Sequence, residues 1–309
     1  MKLEEITPLV LTYNEAANIE RTLAGLAWAR QIVVLDSGST DGTASLIKQF
    51  ENATVVERPF DNHTAQWNFG LGQVQTPWVL ALDADYVCQP PLAEELRSLG
   101  PDHDAYAAGF RYCIDGRPLR GTLYPARVVL FRADRFRYVA DGHTQTLVAG
   151  DVGKLSSVLL HDDRKPLGRW LTDQSKYADL EVAKLLSASP KELAWKDRLR
   201  KQILWAAPAT FFYCLFLKGL VFDGWPGIYY TLQRVYAELL LSLKLLDAQL
   251  RGVKHCKMQN ANCKMKNEGM GGGLESSSNG PMHGRTAQSQ LSEAMQQPDS
   301  GIAKQGIDG

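Results

Sequence analysis

The segment Trp78-Val79-Leu80-Ala81-Leu82-Asp83-Ala84-Asp85 constrains this chain more than any other, because five apolar residues run straight into two carboxylates two positions apart. The apolar run is too short for a helix and shows no polar alternation, so it reads as a strand buried on both faces of a parallel sheet. Its carboxyl end is then the edge at which open α/β sheets bind ligands. Carboxylates are hard oxygen ligands, and an Asp-x-Asp at that edge suits a divalent cation, Mg²⁺ or Mn²⁺, set against a substrate diphosphate. A solvated acidic turn is the plainer alternative, since Asp favours turns.

Two upstream segments repeat the arrangement. Leu9-Val10-Leu11-Thr12-Tyr13-Asn14-Glu15 runs from a strand toward a helix, and Ile32-Val33-Val34-Leu35-Asp36-Ser37-Gly38-Ser39-Thr40-Asp41-Gly42-Thr43 does the same. Ile19, Leu23 and Leu26 fall at helical spacing after the first strand. A second helix is expected over 43–50, a short strand over 53–56 and a third helix over 64–74. Alternating strands and helices imply a parallel sheet covered on both faces. After Pro90 the pattern changes to a helix over 92–99 and two extended segments, 105–114 and 127–132, with an Asp115-Gly116 turn between them.

The Thr-Tyr-Asn-Glu opening, the Asp-Ser-Gly-Ser-Thr-Asp-Gly-Thr loop and the Asp-Ala-Asp pair occur in an order and at spacings that resemble family 2 glycosyltransferases of the GT-A fold. The resemblance covers roughly residues 3–170 and points within the family to bacterial enzymes of the lipopolysaccharide-core type. It implies an α/β, Rossmann-like, mostly parallel sheet with helices on both faces, and an inverting transfer from a nucleotide-sugar donor to an envelope glycan or lipid-linked acceptor. Asp36 and Glu15 would face the nucleotide base and ribose, with Thr12 and Tyr13 as the pocket wall. Asp41 is expected to cap the following helix. Asp83 and Asp85 would serve the metal, Asp85 as the direct ligand and Asp83 toward the ribose or the metal through water.

Family members place the base on the acceptor side, often in a His-Glu pair, but here the sequence is Val139-Ala140-Asp141-Gly142-His143-Thr144, with Thr144 after the histidine. Asp141 is the first candidate base and His143 the second, because an imidazole also accepts protons near neutrality. In His161-Asp162-Asp163-Arg164-Lys165-Pro166-Leu167-Gly168-Arg169-Trp170, His161 would complete the metal shell and Arg164, Lys165 and Arg169 would close over the diphosphate. The Arg-Trp pair lacks the preceding Gln of polymerising relatives, so processive synthesis is not expected. A protein that retains the fold without catalysis is the second function class, kept open by the non-standard 141–146 region.

Composition agrees with an intracellular enzyme. At 309 residues and 45% apolar content the chain can bury one large α/β domain with an extension. Its 34 basic and 34 acidic residues leave zero formal net charge, which gives no footprint for a nucleic acid polymer. Five cysteines without close spacing in the folded part suit reduced thiols, and the amino terminus lacks a signal peptide's apolar core.

The expected organisation is a catalytic domain over 1–170, with nucleotide-sugar (1–90) and acceptor (91–170) halves, a helical extension over 171–251, and a disordered tail over 252–309. Of the tail's 58 residues only five are Leu, Ile, Val or Phe. In the extension, basic Trp195–Lys201 precedes a run without charge, Ile203–Leu217, and an amphipathic helix follows from Ile228 to Leu250. Fifteen residues span about 22 Å as a helix, short of a bilayer core of about 30 Å, and Pro208 would kink it. The composition is that of an interfacial membrane element. A helical hairpin packed on protein is the alternative. Together these features place the enzyme in the cytoplasm, peripheral on the cytoplasmic face of the inner membrane, with its oligomeric state open.

Overall fold

The computed structural model describes residues 1–141, 144–147, 150–189 and 193–268. Strand β1 (Ile6–Thr12) is followed by α1 (Ile19–Ala24), β2 (Ile32–Asp36), α2 (Thr43–Ile47), β3 (Ala53–Glu57), α3 (His63–Leu71) and β4 (Trp78–Asp83). Next come β5 (Tyr86–Val87), α4 (Pro90–Ser98), β6 (Ala105–Ile114), β7 (Arg117–Pro118), β8 (Arg127–Arg132), β9 (Tyr138–Asp141), β10 (Thr144–Leu147) and β11 (Val152–His161). The helices α5 (Leu167–Ser187), α6 (Trp195–Lys201), α7 (Ala206–Phe212) and α8 (Trp225–Glu268) complete the described chain.

The main sheet has the order β3-β2-β1-β4-β8-β6-β11-β5, with β7 beside β6. β1 to β4 are mutually parallel, β8 runs antiparallel to both β4 and β6, and β11 returns parallel to β6. This is the α/β class expected from the sequence. Period-two alternation sorts each strand onto two cores. Trp78, Leu80 and Leu82 of β4 join Ile6, Val10, Ile32 and Val34 beneath α1, α2 and α4, whereas Val79 and Ala81 join Leu9, Val33, Trp67 and Leu71 on the α3 face. Each large aliphatic chain so buried contributes about 1.5–3 kcal/mol. Helix α1 begins later than the sequence suggests, because residues 15–18 form a turn in which Asn18 and Ile19 both donate to the Glu15 carbonyl.

The chain divides into two compact units. Among the described residues, one comprises Met1–Leu171 with Tyr213–Thr231, and the other comprises Thr172–Phe212 with the helix from Leu232. The sequence placed all of 171–251 in one extension, but Leu220 and Tyr230 pack with Leu119 and Cys214 in the first unit. The Tyr230 hydroxyl accepts the Leu123 N–H at 3.0 Å, and Arg120 pairs with Asp223 at 3.2 Å. In the second unit Leu185, Leu193, Leu241 and Leu245 form the core, and Arg200 pairs with Glu238 and Glu181. The uncharged 203–217 run is not one helix. Ile203 has φ +63°, and α7 gives way to a wider turn over Tyr213–Leu217. Among the described residues no helix is long and apolar enough to cross a membrane.

The end of α1 packs hard against the chain after β5. A Cβ on Gly25 would lie 2.6 Å from the Cys88 carbonyl oxygen. Gly25→Ala should therefore destabilise the first unit by about 2 kcal/mol, as overpacking does. Urea denaturation read by intrinsic fluorescence checks this, and an unchanged midpoint would show that α1 shifts freely.

Candidate active site

The carboxyl ends of β1, β2 and β4 bring the first group of side chains together, since Thr12 pairs with Asp36 and Leu11 with Asp83 in parallel register. Asp36 is buried and turns back on its own loop, accepting from the Ser39 N–H at 2.8 Å, the Gly38 N–H at 3.1 Å and the Ser39 hydroxyl. Gly38 and Gly42 adopt φ +88° and +93°, which only glycine takes without strain. Asp41 does not cap α2 from the cap position, which Gly42 occupies. It accepts from the Thr43 N–H and hydroxyl through one oxygen and from the Ala16 N–H through the other, tying the β1 loop to the β2 loop. Asn14 adds a second tie, donating to Ser39 and accepting from Thr40. Thr12 is buried with its hydroxyl unpartnered, and Tyr13 lies half-buried with the Arg169 guanidinium 5.9 Å from its ring centre.

Glu15 is buried beneath these loops. Its oxygens accept from Lys165 Nζ and Asn18 Nδ2, both at 2.7 Å. Burial pushes the Glu15 carboxyl up to about 7, with Lys165 opposing and Asp85 adding to the rise. Burial acts to lower the Lys165 ammonium, but Glu15, Asp163 and Asp85 outweigh it and hold the proton firmly. Asn18 also donates to Asp163 and accepts from the Arg164 N–H, so the turn after β1 grips the loop after β11. Arg164 pairs with Asp162 at 3.0 Å rather than standing free, and Arg21 reaches the same carboxylate at 3.2 Å.

The carboxylate pair divides into two environments. Asp83 is half-buried with the Arg127 guanidinium 3.9 Å away. Asp85 is buried, with Oδ2 3.1 Å from His161 Nε2. The two-residue β5 positions the histidine, pairing Tyr86 with His161 antiparallel, and the ring then packs among Tyr86, Tyr112 and Tyr124. Burial works against the Asp85 charge, but the facing His161 and the more distant Lys165 hold its carboxyl down to about 2. Asp85 Oδ1 and His161 Nδ1 are buried with no hydrogen-bond partner among the described residues.

The acceptor-side candidates lie on a separate hairpin, β9 with β10, in which Asp141 pairs with Thr144. Its base is clamped to α3, because Asn68 both donates to the Tyr138 carbonyl and accepts its N–H, and Trp67 stacks on the Tyr138 ring at 5.2 Å. Nothing is described of the Asp141 side chain, and His143 lies outside the described residues. Sequence reasoning missed Asn18, Asp162 and Arg127 as site residues, and it read Lys165 only as a loop cation. The spacing Asn14-Glu15-x-x-Asn18, which sets two polar side chains one turn apart, is the one local signal available for Asn18.

Fold and site together define an α/β protein with two cross-tied loops and an acid pair on one edge of its sheet. Residues 9–154 match the family model described as glycosyl transferase family 2, so this segment is similar to the domain of that family. It is 23% identical over 255 residues to the lipopolysaccharide core biosynthesis glycosyltransferase LpsC of Rhizobium meliloti (strain 1021), covering 78% of this chain and 91% of that protein. Among solved structures it is similar to the mannosyltransferase PcManGT from Pyrobaculum calidifontis in complex with GDP-Man and Mn²⁺, with TM-score 0.46, 15% identity and coverage of 78% and 87% of the two chains. It also aligns with S. aureus TarS, with TM-score 0.40 and 15% identity, covering 69% of this chain and 42% of that one.

Because the folded state holds the Glu15 proton above the ordinary carboxyl value of 4.5, this group stabilises the fold at low pH and loses that contribution as the pH rises through about 7. Between pH 5 and pH 8 the wild type should therefore lose about 2 kcal/mol more stability than Glu15→Gln, in which the titration is absent. Urea unfolding of both proteins across that interval decides it. Parallel pH profiles would mean that Glu15 is ionised throughout.

Proposed function

We propose that this protein is an inverting, metal-dependent glycosyltransferase that moves a sugar from a nucleotide-sugar donor to an envelope glycan or lipid-linked acceptor, in lipopolysaccharide or other cell-surface polysaccharide synthesis. The observation that carries the reading is the Asp83–Asp85 pair at the end of β4, beside the cross-tied loops of β1 and β2, with one buried Asp85 oxygen unpartnered. Thr12, Tyr13, Glu15 and Asp36 form the nucleotide side of the site. Arg164 and Arg169 belong to the segment that faces the diphosphate.

The residues suit a divalent cation. Among the described residues no group of three or more His, Cys, Asp or Glu is placed to hold a metal ion by itself. A buried carboxylate oxygen and a buried imidazole nitrogen nevertheless lack partners, which fits an ion that draws its other ligands from water and substrate phosphates. Asp85 would hold Mg²⁺ or Mn²⁺, assisted by Asp83 or by His161, and the ion's charge would offset that developing on the leaving diphosphate. In the transfer itself the acceptor hydroxyl oxygen bonds to the anomeric carbon as the bond to the diphosphate oxygen breaks with its electron pair. The hydroxyl proton passes to Asp141, or to His143 if the roles are exchanged.

Asp85→Asn should weaken Mn²⁺-dependent binding of UDP or GDP at least about tenfold, roughly 1.4 kcal/mol, and remove transfer. Asp141→Asn should leave that binding within twofold and slow transfer on the order of 10²–10⁴-fold, because a base acts only in the chemical step. Calorimetry and turnover with UDP- and GDP-linked sugars separate the two effects. Full activity in excess chelator, or wild-type kinetics in both variants, would remove the proposal.

We further propose attachment to the cytoplasmic face of the inner membrane through the apolar side chains beyond α5. Within the first unit Leu217, Phe222 and Trp225 are 77%, 72% and 81% exposed, and within the second Leu204, Trp205 and Trp195 are exposed beside the basic α6. Exposed aromatics flanked by cations suit a lipid interface. Replacing Phe222 and Trp225 by Ser should cut cosedimentation with anionic liposomes severalfold while leaving nucleoside diphosphate affinity unchanged. Equal sedimentation of variant and wild type would exclude this surface.

A further inference from the structure

Arg127 opens β8, and extending the Leu80–Leu130 register of β4 and β8 by three residues sets it opposite Asp83. Its side chain is only 7% exposed. The guanidinium carbon lies 4.6 Å from the Tyr124 ring centre, and Nη1 donates to the Tyr86 hydroxyl at 3.2 Å. The Tyr86 hydroxyl is in turn hydrogen-bonded to that of Tyr124, so the cation is fixed in one orientation by two aromatic rings. Nε and Nη2 are buried and have no hydrogen-bond partner among the described residues. A guanidinium cannot shed its proton to relieve this, and buried donors are costly to leave unpaired.

The sheet order places Arg127 relative to the acid pair and the loops of β1 and β2. β4 lies between β1, which carries the nucleotide-side loop, and β8, so Arg127 stands on the side of Asp83 away from Thr12 and Asp36. Beyond the diphosphate, the next part of a nucleotide sugar in that direction is the sugar. Charge agrees with this. Asp83 already offsets the guanidinium at 3.9 Å, leaving directional hydrogen bonding rather than net charge to offer. A neighbouring donor and acceptor match hydroxyl groups, each of which accepts and donates.

We propose that Arg127 and Asp83 together bind the transferred sugar of the donor, Nε and Nη2 of Arg127 donating to hydroxyl oxygens and the Asp83 carboxylate accepting from an adjacent hydroxyl. Arg127 is thereby a specificity-determining residue, positioned by Tyr86 and Tyr124. The assignment rests on the nucleotide-sugar reading of the site.

The test titrates wild type, Arg127→Lys and Arg127→Met by calorimetry in Mn²⁺ with UDP, GDP and ADP, and with the hexoses and N-acetylhexosamines linked to them. The wild type should bind one sugar nucleotide more tightly than its bare diphosphate. Both variants should keep the affinity for the diphosphate and lose roughly 10- to 100-fold for the sugar nucleotide, lysine included, because it lacks the planar fork. Deoxy derivatives of the preferred sugar nucleotide, titrated against the wild type, require no variant to fold. A loss of about tenfold at one or more hydroxyls is expected there, and that penalty should vanish in Arg127→Lys. Uniform affinity across the deoxy series, unchanged sugar-nucleotide affinity in Arg127→Lys, or equal loss of diphosphate and sugar nucleotide would overturn the assignment while leaving the donor reading standing. A wild type that binds none of these nucleotides would overturn the donor reading and this assignment with it.

Discussion

The parallel pairing of β1 with β2 on one side and β4 on the other is the constraint on which the rest of the site depends. It aligns Thr12 with Asp36 and Leu11 with Asp83, so three polar loops leave the sheet at one level. The strands have apolar side chains on both faces, and alternation alone would tolerate a slip better than in a half-buried sheet. What pins the register is the abrupt change from apolar to acidic at the carboxyl ends of β2 and β4. A slip would draw Asp36 or Asp83 toward the core and pull Leu35 or Leu82 out of it.

Order in the loops after β1 and β2 is then supplied by local chemistry. The two loops are joined to each other by Asn14, Ser39 and Asp41, while Glu15 and Asn18 join the first to the segment after β11. Few of these polar groups are left to seek partners when a ligand arrives. Thr12 Oγ1, Asp85 Oδ1 and the two Arg127 nitrogens are exceptions, and they mark a path along the carboxyl edge of the sheet.

Much of this edge was legible from the sequence because its signals are short in range. The run from Trp78 to Asp85, the Asp36 loop and the helical spacing of Ile19, Leu23 and Leu26 each state a local rule, and the structure follows them. The partners brought in from far along the chain were not legible. Lys165 meets Glu15 across 150 positions, and Arg127 meets Asp83 only through an antiparallel pairing that nothing in either strand announces. His161 was named from its neighbours in sequence, yet its place beside Asp85 depends on β5, a strand of two residues with too little pattern to recognise. Tyr213–Thr231 was assigned to the extension because composition cannot tell an apolar segment that packs on the sheet from one that does not.

The hairpin of β9 and β10 forms a two-stranded sheet of its own, and its root is held by Asn68 and Tyr138. Substitutions beyond that root need not disturb the register of the parallel strands. The hairpin can therefore change in sequence while the parallel strands keep the acid pair and the cross-tied loops in place, so that on the proposed reading a change of acceptor need not disturb the donor site.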